Sequence, residues 1–411
     1  MTDYGFLPQV TSVRSINRAR IISLIRRSPG IMRADLSRLT GLSKGTISAL
    51  VENLLTEGFL FEDSANGMRE RKLGLHLNRE TGVAIGFEIW AEECRAIVTD
   101  PNMRILHRCV RPLVSHAVQP TIDTIIAMHT ELLSGQSVSC LGSVISLPGP
   151  VDRSGQSLVF SESLGWSDVP LGTILEKVLG WHVSLINRPR AALLGEHWYG
   201  AGTGILDIVE VTISSGIGLG IMVAGQLLGG AAGFGNELGH TTVVPDGPLC
   251  QCGNRGCLER VASMPAIIEQ VQEHLTAGSP IPAIWCNRSL DPITYRDIID
   301  AARDGDAVVL DVIRQACQYI GVAVANLIDI LNPSRVIIGG QLVEVGELVI
   351  NMIRETAQRR VFPLSFRGVE IVRGQLGPDA SCIGACALAI DRYVAEFEPA
   401  LRGSLHVASG R

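Results

Sequence analysis

The sequence predicts an α/β protein in which a small helical head with a β-hairpin precedes a larger body of alternating strands and helices. Three observations predict it. Apolar residues recur at helical spacing in three short stretches between positions 11 and 60, then alternate at strand spacing. From Gly82 onward short apolar strands alternate with helical segments, the pattern of an α/β body. A length of 411 residues calls for two or three domains, and a hydrophobic fraction of 46% supplies their cores.

Residues 1–10 read as a loose tail. The first helix spans about Ser15 to Arg27, with Ile16, Ala19, Ile21, Ile22 and Ile25 near one face, and Ser28-Pro29-Gly30 stops it. The second runs from Arg33 to Thr40 and ends at Gly41. Ser43 caps a third helix, Lys44 to Glu57, which ends at Gly58. Phe59-Leu60-Phe61 and Lys72–Leu77 read as two strands around a polar turn containing Gly67.

The body follows. Val83–Ile89, Arg95–Val98, Leu141–Leu147, Val183–Ile186, Ile208–Ile213 and Arg335–Ile338 read as strands. Pro120–Leu133 and the long Ala307–Leu331 read as helices. No apolar run of about 18 residues stands out as a membrane span. No basic-then-apolar leader opens the chain, so a cytoplasmic location is expected.

Charge divides the chain. Residues 1–80 carry a balance of +4 and the remainder −10, within a total of −6. DNA attracts the first part and repels the second. The segment Arg33–Val51 carries helix-turn-helix signals: small Ala34 at a helix crossing, Gly41 in the turn, Ser43 as a cap, and Leu36, Leu39, Leu42, Ile47, Leu50 and Val51 as shared core. Lys44, Gly45, Thr46 and Ser48 then stand at the exposed start of the third helix, where a major groove is read. Arg33, Arg38 and Lys44 can reach phosphates. Arg69, Arg71 and Lys72 make a basic wing tip. The expected partner is double-stranded DNA, an inverted repeat met by a homodimer or homotetramer. The alternative for this segment is a helical bundle that binds protein.

Three of the ten cysteines are clustered. His240 is followed by Cys250, Cys252 and Cys257. Three thiolates and an imidazole complete a closed tetrahedral Zn2+ set, which leaves no open position for water and is therefore structural. The other seven cysteines lie scattered in apolar segments, as buried free thiols do in a reducing compartment.

The segment Glu237-Leu238-Gly239-His240 followed by Cys250-Gln251-Cys252-Gly253-Asn254-Arg255-Gly256-Cys257-Leu258-Glu259 resembles the signature of the ROK family, which groups bacterial repressors with sugar kinases. Ser215–Gly220, Leu147–Asp152 and Gly165–Leu171 also resemble family patterns, and the resemblance covers about residues 10–395. The N-terminal winged helix resembles the repressor branch, and within it the xylose-repressor-like members. The resemblance implies a two-lobed actin-like ATPase (sugar kinase-like) fold. It divides the chain into a tail 1–10, a winged head 11–80, a small lobe 81–187 joined by a helix over 381–395, a large lobe 188–380 and a tail 396–411.

It also implies a site. Glu237, His240, Glu259 and Asn187 would line a sugar pocket, with Ser163 where the family usually has asparagine. The kinases' glycine-rich phosphate loop is replaced here by Glu88-Ile89-Trp90-Ala91-Glu92. Their Asn-Asp pair, whose Asp is the general base, reads Asn187-Arg188, and an arginine stays protonated. The expectation is a sugar-responsive transcriptional repressor with no kinase activity. Arg188 either recognises an anionic effector such as a sugar acid, or neutralises Glu237. Two alternatives stand beside this reading: a sugar kinase carrying a DNA-binding head, and a sensor whose body docks a transporter protein.

Overall fold

The computed structural model describes residues 13–64, 73–115, 117–134, 139–286 and 292–396. The basic wing tip, Arg69, Arg71 and Lys72, lies outside them. So do both expected tails, apart from Glu396 at the end of the last helix.

The head holds α1 (Val13–Arg27), α2 (Arg33–Thr40) and α3 (Lys44–Thr56), then β1 (Leu60–Ser64) antiparallel to β2 (Leu73–Leu77). Ile21, Ile22, Ile25, Leu36, Ile47, Leu50, Val51 and Leu54 are buried together with Phe59 and Leu75. Leu39, expected in this core, is exposed. Gly41 ends α2 at φ 75°, where its N–H is donated to the Ser37 carbonyl, so the turn rests on a conformation glycine adopts without a Cβ penalty.

The body begins with β3 (Val83–Ile89), β4 (Glu93–Thr99) and β5 (Ile105–Pro112), continues through α4 (Val118–Leu133), β6 (Cys140–Leu147), the small hairpin β7 (Leu158–Ser161) and β8 (Trp166–Val169), and α5 (Leu171–Leu179). It reaches β9 (Val183–Asn187) and α6 (Arg188–Tyr199). One sheet has the order β5-β4-β3-β6-β9. All seven residues of β3 are buried, as a central strand covered on both faces must be. Ile122, Ile125 and Met128 of α4 and Leu171 and Leu175 of α5 share its core.

Next come β10 (Ile208–Ile213), β11 (Ile217–Val223), β12 (Gln226–Leu227), α7 (Leu258–Ala262), α8 (Met264–Thr276), α9 (Tyr295–Asp304), α10 (Ala307–Leu331), β13 (Arg335–Gly340), α11 (Glu347–Arg360), β14 (Glu370–Arg373) and α12 (Ala380–Glu396). The second sheet runs β12-β11-β10-β13-β14, with β10, β13 and β14 parallel. α10 is long and apolar enough to cross a membrane, which the sequence reading does not expect, yet half of that window is buried in protein. Val312, Ile313, Ala316, Ile320 and Val324 of α10 pack in the core with Ile350 and Ile353 of α11.

The chain forms two compact units. Among the described residues, the first unit runs to Leu194 and resumes at Ser381, and the second runs from Gly195 to Ala380. The head, the first sheet and α12 from Ser381 therefore belong together, and the division falls within α6.

Candidate functional site

The DNA-facing candidates are built on α3. Ser43 has extended backbone angles and accepts the Thr46 N–H at 3.1 Å, so it caps the helix. Its hydroxyl also lies 2.9 Å from the Thr46 hydroxyl. Ser43, Lys44, Gly45, Thr46 and Ser48 are all exposed, while Ile47, Leu50 and Val51 turn inward. The positive helix end and Lys44 thus share one surface, which suits a phosphate-lined groove.

Two expected phosphate contacts also form ion pairs within the head. Arg33 donates to Glu62 at 2.7 and 3.0 Å and to Glu52 at 2.8 Å, which ties α2 to α3 and β1. Those two carboxylates hold its pKa above the usual arginine value against the opposing effect of burial. Arg38 pairs with Asp35 at 2.9 Å but stays 76% exposed. Arg20, which the sequence reading passes over, donates to the Thr40 and Leu39 carbonyls and holds the turn before α3.

The four metal candidates converge. The ligand atoms of His240, Cys250, Cys252 and Cys257 all lie within 4.8 Å of one another. Cys252 Sγ is 3.6 Å from Cys257 Sγ, and Cys250 Sγ is 3.8 Å from His240 Nδ1. A tetrahedron with Zn–S bonds of about 2.3 Å has S–S edges of about 3.8 Å, so these spacings fit zinc. Burial and the neighbouring thiols push Cys257 up to about 12, a state that a dication would reverse. The turn Cys250–Gly253 closes on a 2.9 Å backbone bond, and Cys250 N–H is donated to Asn254 O. Gly256 sits at φ 68°, and a Cβ there would collide with the Val244 carbonyl. Since Nδ1 faces the thiols, Nε2 is the His240 nitrogen left for other partners.

The effector candidates fall in two sets. In the second unit, Glu237 and His240 bracket a 3-10 turn, with Glu237 exposed. Glu259, on the first turn of α7, accepts the Ile217 N–H at 2.8 Å and so anchors the β10–β11 turn with one oxygen. In the first unit, Ser163 is exposed at the β7–β8 turn, with its hydroxyl 3.5 Å from that of Ser161. Asn187 donates to the Gly149 carbonyl at 2.9 Å.

Arg188 has a partner within the first unit. Its partner is Glu88, with Nε 3.6 Å from the carboxylate, and its guanidinium lies 3.5 Å from the Trp90 ring centroid. Burial pushes the Glu88 carboxyl up, and the Arg188 charge opposes that rise. Trp90 and Arg188 thus stack on each other beside the buried Glu88. The sequence reading does not anticipate this pairing.

Comparison with known proteins decides the family. The ROK family model matches residues 84–392, and a winged helix-turn-helix DNA-binding model matches residues 14–60. The chain belongs to the ROK family. Among curated ROK proteins it is 29% identical to the xylose repressor of Bacillus spizizenii over 390 residues, covering 93% of this chain and 97% of that one. It is 36% identical to the glucokinase of Thermotoga maritima over 320 residues, 75% of this chain and 97% of the relative. A solved ROK transcriptional regulator, described as a homologue of the E. coli MLC protein, superposes with a TM-score of 0.81 at 26% identity, covering 93% of this chain and 97% of its own. The likeness to the repressor and the regulator includes the head. The likeness to the kinase covers only three quarters of this chain.

Proposed function

We propose that this ROK protein is a sugar-responsive, DNA-binding transcriptional repressor whose body senses its effector without phosphorylating it. One observation carries the reading: a capped, exposed α3 N-terminus with Lys44 is joined in one chain to a ROK body. In our reading Trp90 and Arg188 stand where ROK kinases carry the phosphate loop and the base. Ser43, Lys44, Gly45, Thr46 and Ser48 are the proposed base and phosphate contacts, with Arg38, Arg69, Arg71 and Lys72 on the backbone. Two heads on a homo-oligomer would read the arms of an inverted repeat.

The proposed effector is hydroxyl-rich. Glu237 and the second oxygen of Glu259 are suited to accept from sugar hydroxyls, and His240 Nε2–H to donate. Asn187 and Ser163, in the first unit, are candidate sugar contacts in their own right. Zinc on His240, Cys250, Cys252 and Cys257 would supply a fixed scaffold for the loop and for that imidazole. Because the charge of Arg188 is answered by Glu88, a neutral sugar is favoured over a sugar acid. The xylose repressor relatives make D-xylose the first sugar to test. The effector acts only through different affinities for DNA-competent and DNA-incompetent states.

Calorimetric titration with neutral and acidic sugars, run beside an ATP-coupled phosphorylation assay, tests this. Binding of a neutral sugar with no ADP formed supports the reading. Turnover of ATP with the same sugar would establish the kinase alternative.

A further inference from the structure

α12 touches both the rebuilt cluster and the DNA-binding head. At its first turn the Ser381 hydroxyl donates to the Arg188 carbonyl at 3.1 Å. One residue on, the Cys382 carbonyl lies so close to Gly86 of β3 that a Cβ on Gly86 would collide with it. The helix therefore rests on the β3 backbone with no side chain between, two residues before Glu88. Its middle is tied to β4 by Cys386, whose thiol donates to the Ile97 carbonyl at 3.3 Å.

The far end reaches the head. Asp391 pairs with Arg26 of α1 at 3.2 Å, and the Arg26 side chain is only 1% exposed. Tyr393 stacks on Phe59, which links α3 to β1, at a centroid distance of 5.9 Å. Ser381 and Asp391 are about 15 Å apart along the helix at 1.5 Å per residue. Separating a buried guanidinium from its carboxylate is costly, so this pair holds the head to the helix end. Direct backbone packing at one end and a buried ion pair at the other leave little slack in between.

We propose that α12 is the relay by which the Trp90–Arg188–Glu88 cluster sets the state of the DNA-binding head, with Ser381 as its input and Asp391 and Tyr393 as its output. This rests on the DNA-binding reading above. A change at β3 or α6 shifts the first turn of α12, and the helix delivers that shift to α1 and to the base of α3.

The test is a double-mutant cycle on the full-length chain, Trp90→Ala, Asp391→Asn and both together. It is read as the Kd for duplex DNA that the unmodified chain selects from a random pool. Amide exchange of the free protein is measured alongside. Trp90→Ala alone is expected to change Kd at least about threefold, and the double variant to depart from the product of the singles by more than about twofold, the margin of independent sites. Amides of Val13–Arg27 should exchange at least threefold faster in Trp90→Ala, while those of Ile208–Ile213 in the other unit stay as they were. Multiplicative Kd values, unchanged α1 exchange, or equal acceleration in both units would each overturn the relay. If Trp90→Ala does not fold, Ser381→Ala takes its place in the cycle. If the chain selects no DNA, the DNA-binding reading falls, and the exchange comparison alone decides the relay.

Discussion

At the scale of single residues, Ser43 separates folding from recognition. Its cap on Thr46 is worth about 1 kcal/mol, so Ser43→Ala should lower the melting temperature of the head and weaken DNA binding. Ser43→Asp caps as well but sets an anion where phosphates approach. The expected outcome is retained stability with lost affinity, measured by thermal melts beside DNA titration. His129 gives a pH prediction. Burial lowers its pKa from 6.5 to about 4, with its ring 4.5 Å from that of Trp181. The folded state therefore resists a proton that the unfolded chain accepts. Stability from this residue is whole above pH 6.5 and drains as pH falls toward 4. His129→Phe should flatten the melting temperature across that window. Ser43 was legible because capping is local in sequence. Arg188 stood out in the sequence too, but its partners did not, since nothing local joins β3 to the start of α6.

At the scale of elements, the cysteine loop was the easiest site to read, because its ligand types and spacing are themselves the signal. What the spacing could not show is which glycine the loop depends on. Gly256 is fixed by its positive φ and by the Val244 carbonyl. Gly256→Ala should cost most of the bound metal, and Cys257→Ser should do the same, counted as zinc per chain by mass spectrometry. Chelation of the wild-type protein should lower its melting temperature, and added zinc should restore it. α2 and β10 match their expected spans residue for residue, and α10 does as well. The reading assigns nothing to β5, to the β7–β8 hairpin, or to α5, α7, α8, α9 and α11. β5 is an edge strand with exposed His107, Arg108 and Val110, so its alternation is blurred. The hairpin strands have four residues each, too few to carry a period.

At the scale of the whole molecule, the sequence suggested a head separate from two lobes. In the structure the head shares one compact unit with the first sheet and α12. Arg26–Asp391 and Phe59–Tyr393 join opposite ends of the chain within that unit, contacts that no local pattern reveals. DNA affinity should fall linearly with log salt, with a slope that lessens by about one when Lys44 is replaced by Ala, if Lys44 meets one phosphate. The most direct test of a DNA-reading repressor is selection of duplexes from a random pool by the full-length chain, repeated with D-xylose and other neutral sugars. The account predicts enrichment of an inverted repeat with half-sites one or more helical turns apart, released or strengthened by one of those sugars. No enrichment over the starting pool would contradict it.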